Sequence, residues 1–211
     1  MSARADILAA ITRANTTAHA AEAAIPRDYR AASESSREAV LEKFIDRLLD
    51  YDAHVLRCTS AEVAQTVAAA ISASAASRVG LPAGFPQAWR PADVAFIDDA
   101  ALTHAELDTL DGVLTLCTVG IAETGTLVLQ HGPAEGRRAL TLVPDTHLCV
   151  IRTGQVVATV PEAIARLAPT ATMPTTFVSG PSATADIEMT RVKGVHGPRF
   201  LYVILVEKEG T

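Results

Sequence analysis

The sequence predicts an α/β fold: a three-layer domain built on a mostly parallel sheet. Three observations predict it. The chain closes with RFLYVILVE, an apolar run without the polar alternation of a half-exposed strand; such strands belong to sheets covered on both faces. The first half alternates amphipathic helix with short apolar strand, the rhythm of a layered α/β domain. Hydrophobic residues make up 49% of the 211 while aromatics make up 4%. A core of that composition is aliphatic, which suits β-branched strands under Ala-rich helices.

The elements follow in order. The first ~24 residues, with Ile7, Leu8 and Ile11, read as a helix. AAIPRDYRAASES interrupts it with Pro26 and a Ser-rich run, a connector. This divides the chain into residues 1–30, helix and connector, and residues 31–211, the α/β domain. Ser36 caps the next helix, where Val40, Leu41, Phe44, Ile45, Leu48 and Leu49 form one apolar stripe. AHVLRC is a short strand, and Thr59-Ser60 caps AEVAQTVAAAISASAA. ADVAFID is the next strand, followed by the Thr103-capped HAELDTL. From Gly112 the chain turns to Val-, Leu- and Thr-rich runs: VLTLCTVGIAETGTLVLQ, RRALTLVPDTHLCVI and TTFVSG. PEAIARLA is a helix with Pro161 at its first position, where a missing N–H costs nothing. The closing strand completes the sheet.

Charge and composition exclude several classes. A net charge of −6 opposes nucleic acid as the main partner, because phosphate neutralisation needs a basic face. No segment reaches the roughly 18 apolar residues of a membrane span. The opening MSARADILAAITRA carries an early Asp6 and no charged-then-apolar segment with a cleavage site, so a cytoplasmic protein is expected. Cys58, Cys117 and Cys149 lie singly in apolar runs, without the paired spacing of zinc or iron–sulfur ligands. They are expected as buried free thiols. His104, His131, His147 and His196, with Glu123 and Asp186, lack metal-ligand spacing, so no metal is expected. His131, in HGPAEGRR, reads as structural.

Ligands in open α/β sheets gather beyond the carboxyl ends of strands, and three polar clusters suit such a place. In GIAETGTLVL, Glu123-Thr124-Gly125-Thr126 sits inside an apolar run. It reads as a tight strand-to-strand turn, as an anion-binding loop, or as the seat of a catalytic carboxylate. Gly125 can take a positive φ or admit a ligand to the backbone, and Thr124 and Thr126 can donate to an anion. A carboxylate buried there without a partner would cost several kcal/mol. In SGPSATADIE, Ser182 or Thr184 can cap a helix starting near Ala183 to Asp186. Its free N–H groups would suit a phosphate or carboxylate; capping alone is the other reading. In RVKGVHGPRF, Gly194 and Gly197 hold His196 on a rigid turn, where it can orient a ligand or exchange a proton.

GIAETGTLVL, LVPDTHLCVI, SGPSATADIEMTRVKGVHGP and the closing LYVILVE resemble, in that order, the lactate-utilisation protein C family and its LUD domain. IPRDYR is similar to the family's N-terminal stretch. The resemblance implies a fold like that of the ribose-phosphate isomerase, glucosamine-phosphate deaminase and CoA-transferase group, with residues 31–211 as the LUD-type domain. It implies a subunit of a bacterial system that oxidises L-lactate to pyruvate. Iron–sulfur clusters are expected only in partner subunits, one of them iron–sulfur-containing and another rich in Cys-Cys-Gly motifs; no cofactor is expected in this chain. The CoA-transferase branch forms an acyl intermediate on a Glu in a Glu-x-Gly setting, which Glu123-Thr124-Gly125 resembles.

Three expectations follow. In the first, a small carboxylate or phosphate is bound by Thr124, Gly125, Thr126, Ser182, Thr184, Gly194 and Gly197, with Glu123, Asp186 and His196 orienting it or exchanging protons. In the second, the chain is an independent enzyme that uses Glu123. In the third, it is an assembly subunit without a ligand.

Overall fold

A computed structural model describes residues 2–17, 25–26, 28–100, 102–184, 192–194 and 196–207. The chain forms two units, Met1–Arg30 and Ala31–Thr211. The first contains helix α1 (Ala3–Thr17).

The second unit opens with α2 (Arg37–Asp50), where the Ser36 hydroxyl accepts from the Ala39 N–H as an N-cap. The apolar stripe buries Val40, Phe44 and Leu48, while Leu49 stays exposed. β1 (His54–Thr59) follows. A 3-10 turn at Ser60–Glu62 then leads into α3 (Val63–Ala73). Glu62 closes that entry by accepting from both the N–H and the hydroxyl of Thr59. β2 (Val79–Leu81), β3 (Phe96–Asp98) and α4 (His104–Leu107) come next, the last with Thr103 and Glu106 in a reciprocal capping box. After them run β4 (Gly112–Leu116), β5 (Val119–Ile121), β6 (Thr126–Leu129), β7 (Thr146–Arg152) and β8 (Val156–Val157). α5 (Val160–Leu167) is capped by Thr159 and starts one residue before Pro161. β9 (Thr176–Val178), β10 (Ala183–Thr184), β11 (Val192–Lys193) and β12 (Phe200–Glu207) complete the chain.

Six strands make one sheet in the order β1-β12-β7-β4-β2-β3, and every pair in it is parallel. The α/β expectation holds, and the unalternating run is its centre: Leu201 to Val206 are buried consecutively in β12. Each such aliphatic side chain contributes roughly 1.5–3 kcal/mol of burial. One face of the sheet packs Leu114, Leu148, Val150 and Ile204 against Val63, Val67 and Ala70 of α3. The other packs Cys149, Ile151, Val203 and Leu205 against α2 and a second sheet.

That second sheet, in the order β8-β5-β6-β9, pairs β5 with β6 and β6 with β9 antiparallel. Leu127 and Leu129 face the first sheet. Val119, Ile121 and Val128 face α5 on the far side. The period-2 alternation of a strand thus serves two cores at once.

Two local expectations are corrected, and one strand was not anticipated. Ala183–Thr184 is not a helix start but a strand paired antiparallel with Val192–Lys193. The Ser182 N–H already donates to the Pro198 carbonyl, and the Ser182 carbonyl accepts from Gly194, so this backbone is committed to pairing. RRALTLVP is not a strand; residues 137–144 turn back on themselves, and pairing begins at Thr146. Val79–Leu81, inside RVGLPAG, is a central strand. There, a Cβ on Gly80 would meet Leu110 and Leu140 at 2.8 and 2.9 Å. Among the described residues, no helix is long and apolar enough to cross a membrane. The three cysteines are free and buried, and burial raises the Cys58 and Cys117 thiols above their ordinary range.

Candidate functional site

The Ala122–Gly125 turn joins β5 to β6, with Ile121 opposite Thr126. The Glu123 N–H donates to the Ala158 carbonyl at 3.0 Å. Gly125 has φ +59, and a Cβ there would lie 2.9 Å from backbone atoms of Arg47 in α2. Both the positive φ and the close approach therefore serve the fold: the turn presses on a helix. Thr124 Oγ1 lies 2.6 Å from Thr126 Oγ1, which lies 2.7 Å from Ser179 Oγ. This chain of hydroxyls ties the first cluster to the second.

The second and third clusters come together directly. The His196 N–H donates to Ser182 Oγ at 2.9 Å. With the two backbone bonds of Ser182, this clamps Ser179–Ser182 against Gly194–Pro198. Between them lies a cavity of about 240 Å³ whose polar lining is Arg138, Thr141, His147, Ser179, Ser182 and His196. Leu142, Phe177 and Leu201 supply apolar wall, and Gly197 contributes backbone. The volume falls below the 300–1,000 Å³ or so of pockets for drug-sized ligands. It suits a molecule of a few heavy atoms.

Two of the lining residues carry the chemistry. His147 is the second residue of β7 and 1% exposed. Its Nε2 lies 2.8 Å from the hydroxyl of Thr115, which is itself fully buried. Its Nδ1 is buried without a hydrogen-bond partner, a state that is rare in native interiors. Burial first, and then the charge of Arg138, push the imidazole down to about 4, so it is neutral at neutral pH. Arg138 reaches Thr141 Oγ1 at 3.4 Å and makes no ion pair among the described residues. An exposed arginine and a buried histidine with one unpartnered ring nitrogen thus line one small cavity with three hydroxyl residues. Anions are the ligands such a lining favours.

The cleft sits at the amino ends of β7 and β12, where His147 and Leu201 stand at second positions. The expectation was of a site beyond the carboxyl ends. β9 and the 179–183 and 196–198 segments fold over the amino edge and build the cleft there. A second cavity, of about 590 Å³, lies at the carboxyl ends of β2 and β3, and Arg138 lines it as well. Arg137 bonds Asp99 at 2.8 Å. His131 bonds the Gly136 carbonyl at 2.9 Å and Thr176 Oγ1 at 2.8 Å.

The anticipated residues therefore divide. Ser182, His196 and Gly197 line the cleft. Thr126 touches its edge through Ser179, and Thr124 stands one hydroxyl further out. Glu123 and Gly125 belong to the hairpin turn and are not among the cleft's lining. Gly194, at φ +81, holds the β11 exit against Arg199. Thr184 pairs in β10, and Asp186 lies outside the described residues. Among the described residues, no group of three His, Cys, Asp or Glu is placed to hold a metal. Arg138, Thr141 and His147 were not anticipated as ligand residues. The signal for His147 was a polar side chain inside THLCVI, a strand otherwise buried on both faces.

Residues 96–206 match the sequence profile of the LUD domain. A lactate utilization protein C of Deinococcus radiodurans is 47% identical over 174 residues, covering 81% of each chain. One from Shouchella clausii is 32% identical over 116 residues, covering 52% of this chain and 50% of that one. The crystal structure of a DUF162 family protein from Deinococcus radiodurans superposes with a TM-score of 0.72 at 42% identity. It covers 82% of this chain and 99% of that chain.

Proposed function

The chain belongs to the LUD-domain family, and from that premise we propose that it serves lactate utilisation by holding a small carboxylate in the Arg138–His147 cleft. The name of its relatives supports the process. The cleft supports the ligand class, and one observation carries it: Arg138, which makes no ion pair among the described residues, and His147, whose buried Nδ1 has no hydrogen-bond partner, line the same cavity of about 240 Å³. In this reading Arg138 binds the carboxylate, Ser182 and the His196 turn close over it, and Leu142 and Phe177 supply apolar wall. Electron carriers reside in partner subunits, the iron–sulfur-containing and Cys-Cys-Gly-motif proteins of the same system, and this chain handles substrate. Acyl transfer through Glu123 gains no support from a turn whose glycine is pressed against Arg47.

Calorimetric titration of the purified protein with L-lactate, pyruvate and inorganic phosphate tests the reading. Binding of a carboxylate that is lost in Arg138→Gln supports it. Equal binding by wild type and Arg138→Gln contradicts it. Binding of phosphate alone would replace the carboxylate with a phosphate ligand.

A further inference from the structure

We propose that His147, backed by Thr115, forms a subsite for the oxygen on carbon 2 of a short 2-hydroxy or 2-oxo carboxylate. This assignment rests on the cleft being the carboxylate site. The two polar groups of the cleft differ in what they can hold. Arg138 presents a permanently charged, forked set of donors, the shape that matches a carboxylate. His147 lines the cleft, its ring is fixed through Nε2, and its one nitrogen without a partner is the buried Nδ1. A single nitrogen matches a single oxygen next to the carboxylate. Burial keeps the ring uncharged, so it does not compete with Arg138 for the anionic end.

Thr115 decides what Nδ1 offers. A hydroxyl both donates and accepts, so the 2.8 Å contact between Thr115 Oγ1 and His147 Nε2 persists in either direction. When the hydroxyl donates, Nδ1 carries the proton and can donate to a 2-oxo oxygen. When the hydroxyl accepts, Nδ1 has a free lone pair and can accept from a 2-hydroxyl. The ring moves in neither case. A 2-hydroxy acid and the 2-oxo acid formed from it by two-electron oxidation would both fit this one cleft, with the imidazole changing tautomer between them. Leaving Nδ1 unmatched is costly in the buried state, so an acid lacking the second oxygen binds more weakly.

The probes are propionate, L-lactate and pyruvate, which share a three-carbon carboxylate and differ at carbon 2. Wild type is expected to prefer L-lactate and pyruvate to propionate by about tenfold, one neutral hydrogen bond's worth of discrimination. His147→Phe should bring that ratio close to unity while propionate still binds. Imidazole ¹⁵N resonances of the wild-type protein give a reading that depends on no variant folding. Pyruvate is expected to place the His147 proton on Nδ1, and L-lactate to place it on Nε2. If the amides of Ser182 and His196 shift with ligand while the His147 nitrogens do not, the subsite is overturned and the carboxylate cleft stands. A preference for L-lactate that survives in His147→Phe overturns it equally. If no acid binds, both the subsite and the cleft reading fall.

Discussion

Replacing Gly125 with alanine separates a structural turn from a ligand loop. Gly125 sits at φ +59, with space for a Cβ closed by the backbone of Arg47 at 2.9 Å. The left-handed conformation costs an L-residue about 1–2 kcal/mol. The second obstacle is the backbone of α2, which is anchored by buried Phe44 and Leu48 and cannot swing aside as a side chain can. Overpacking of this kind adds about 1–3 kcal/mol. Gly125→Ala is therefore expected to lose about 2–5 kcal/mol, a fall in melting temperature of roughly 5–15 °C for a domain of this size. Gly125→Asn is the informative companion, since asparagine tolerates positive φ but still carries a Cβ. It should fall nearly as far. Urea denaturation gives the free energy, and calorimetry below the transition gives carboxylate affinity, expected to be close to wild type. A Gly125→Ala protein as stable as wild type but unable to bind ligand would refute the reasoning and return the turn to the ligand.

Three further outcomes follow from particular contacts. His147 is pushed from 6.5 to about 4 in the fold, so between those values the unfolded chain binds more protons and stability falls as pH is lowered through that window. The total is roughly 3 kcal/mol, and a pH series of urea midpoints for His147→Gln should lose that slope. Asp111 accepts from the Ser77 N–H, the Ser77 hydroxyl and the Arg78 N–H, hydrogen bonds that hold its carboxyl below the ordinary range. Asp111→Ala should cost about 1 kcal/mol by thermal denaturation, and the corresponding wild-type loss should appear only below the ordinary value of 3.8. Thr126→Val removes the buried middle of the Thr124–Thr126–Ser179 chain, and the outer hydroxyls, on exposed Thr124 and Ser179, turn to water. It should cost about 1 kcal/mol or less in urea denaturation.

What the sequence disclosed depended on how local the cause was. The α2 stripe, the Ser36 and Thr103 caps and the unalternating β12 are each specified within a few residues, and each is present. The Gly125 turn was legible as one of three readings, but choosing among them required Arg47, 78 residues earlier in the chain. Residues 183–184 looked like a helix start because Gly-Pro-Ser is capping chemistry; they pair instead, antiparallel, with Val192 and Lys193. The cleft was the least legible part. His147 stands alone in its strand, and Arg138 sits in a charged loop. Only the second sheet, folding β9 over the amino edge of the first, brings them to Ser182 and His196. The carboxyl ends, where a site is generally expected, carry the larger cavity, in which Arg137 is paired with Asp99 and His131 is bonded to the Gly136 carbonyl.

The central claim is that this cleft is the carboxylate site, and a crystal structure of the protein saturated with L-lactate tests it most directly. The account predicts density for the acid inside the cleft, its carboxylate on Arg138 and its hydroxyl within hydrogen-bonding distance of His147 Nδ1. Ordered lactate beside Glu123, or in the cavity at the carboxyl ends of β2 and β3, would contradict it.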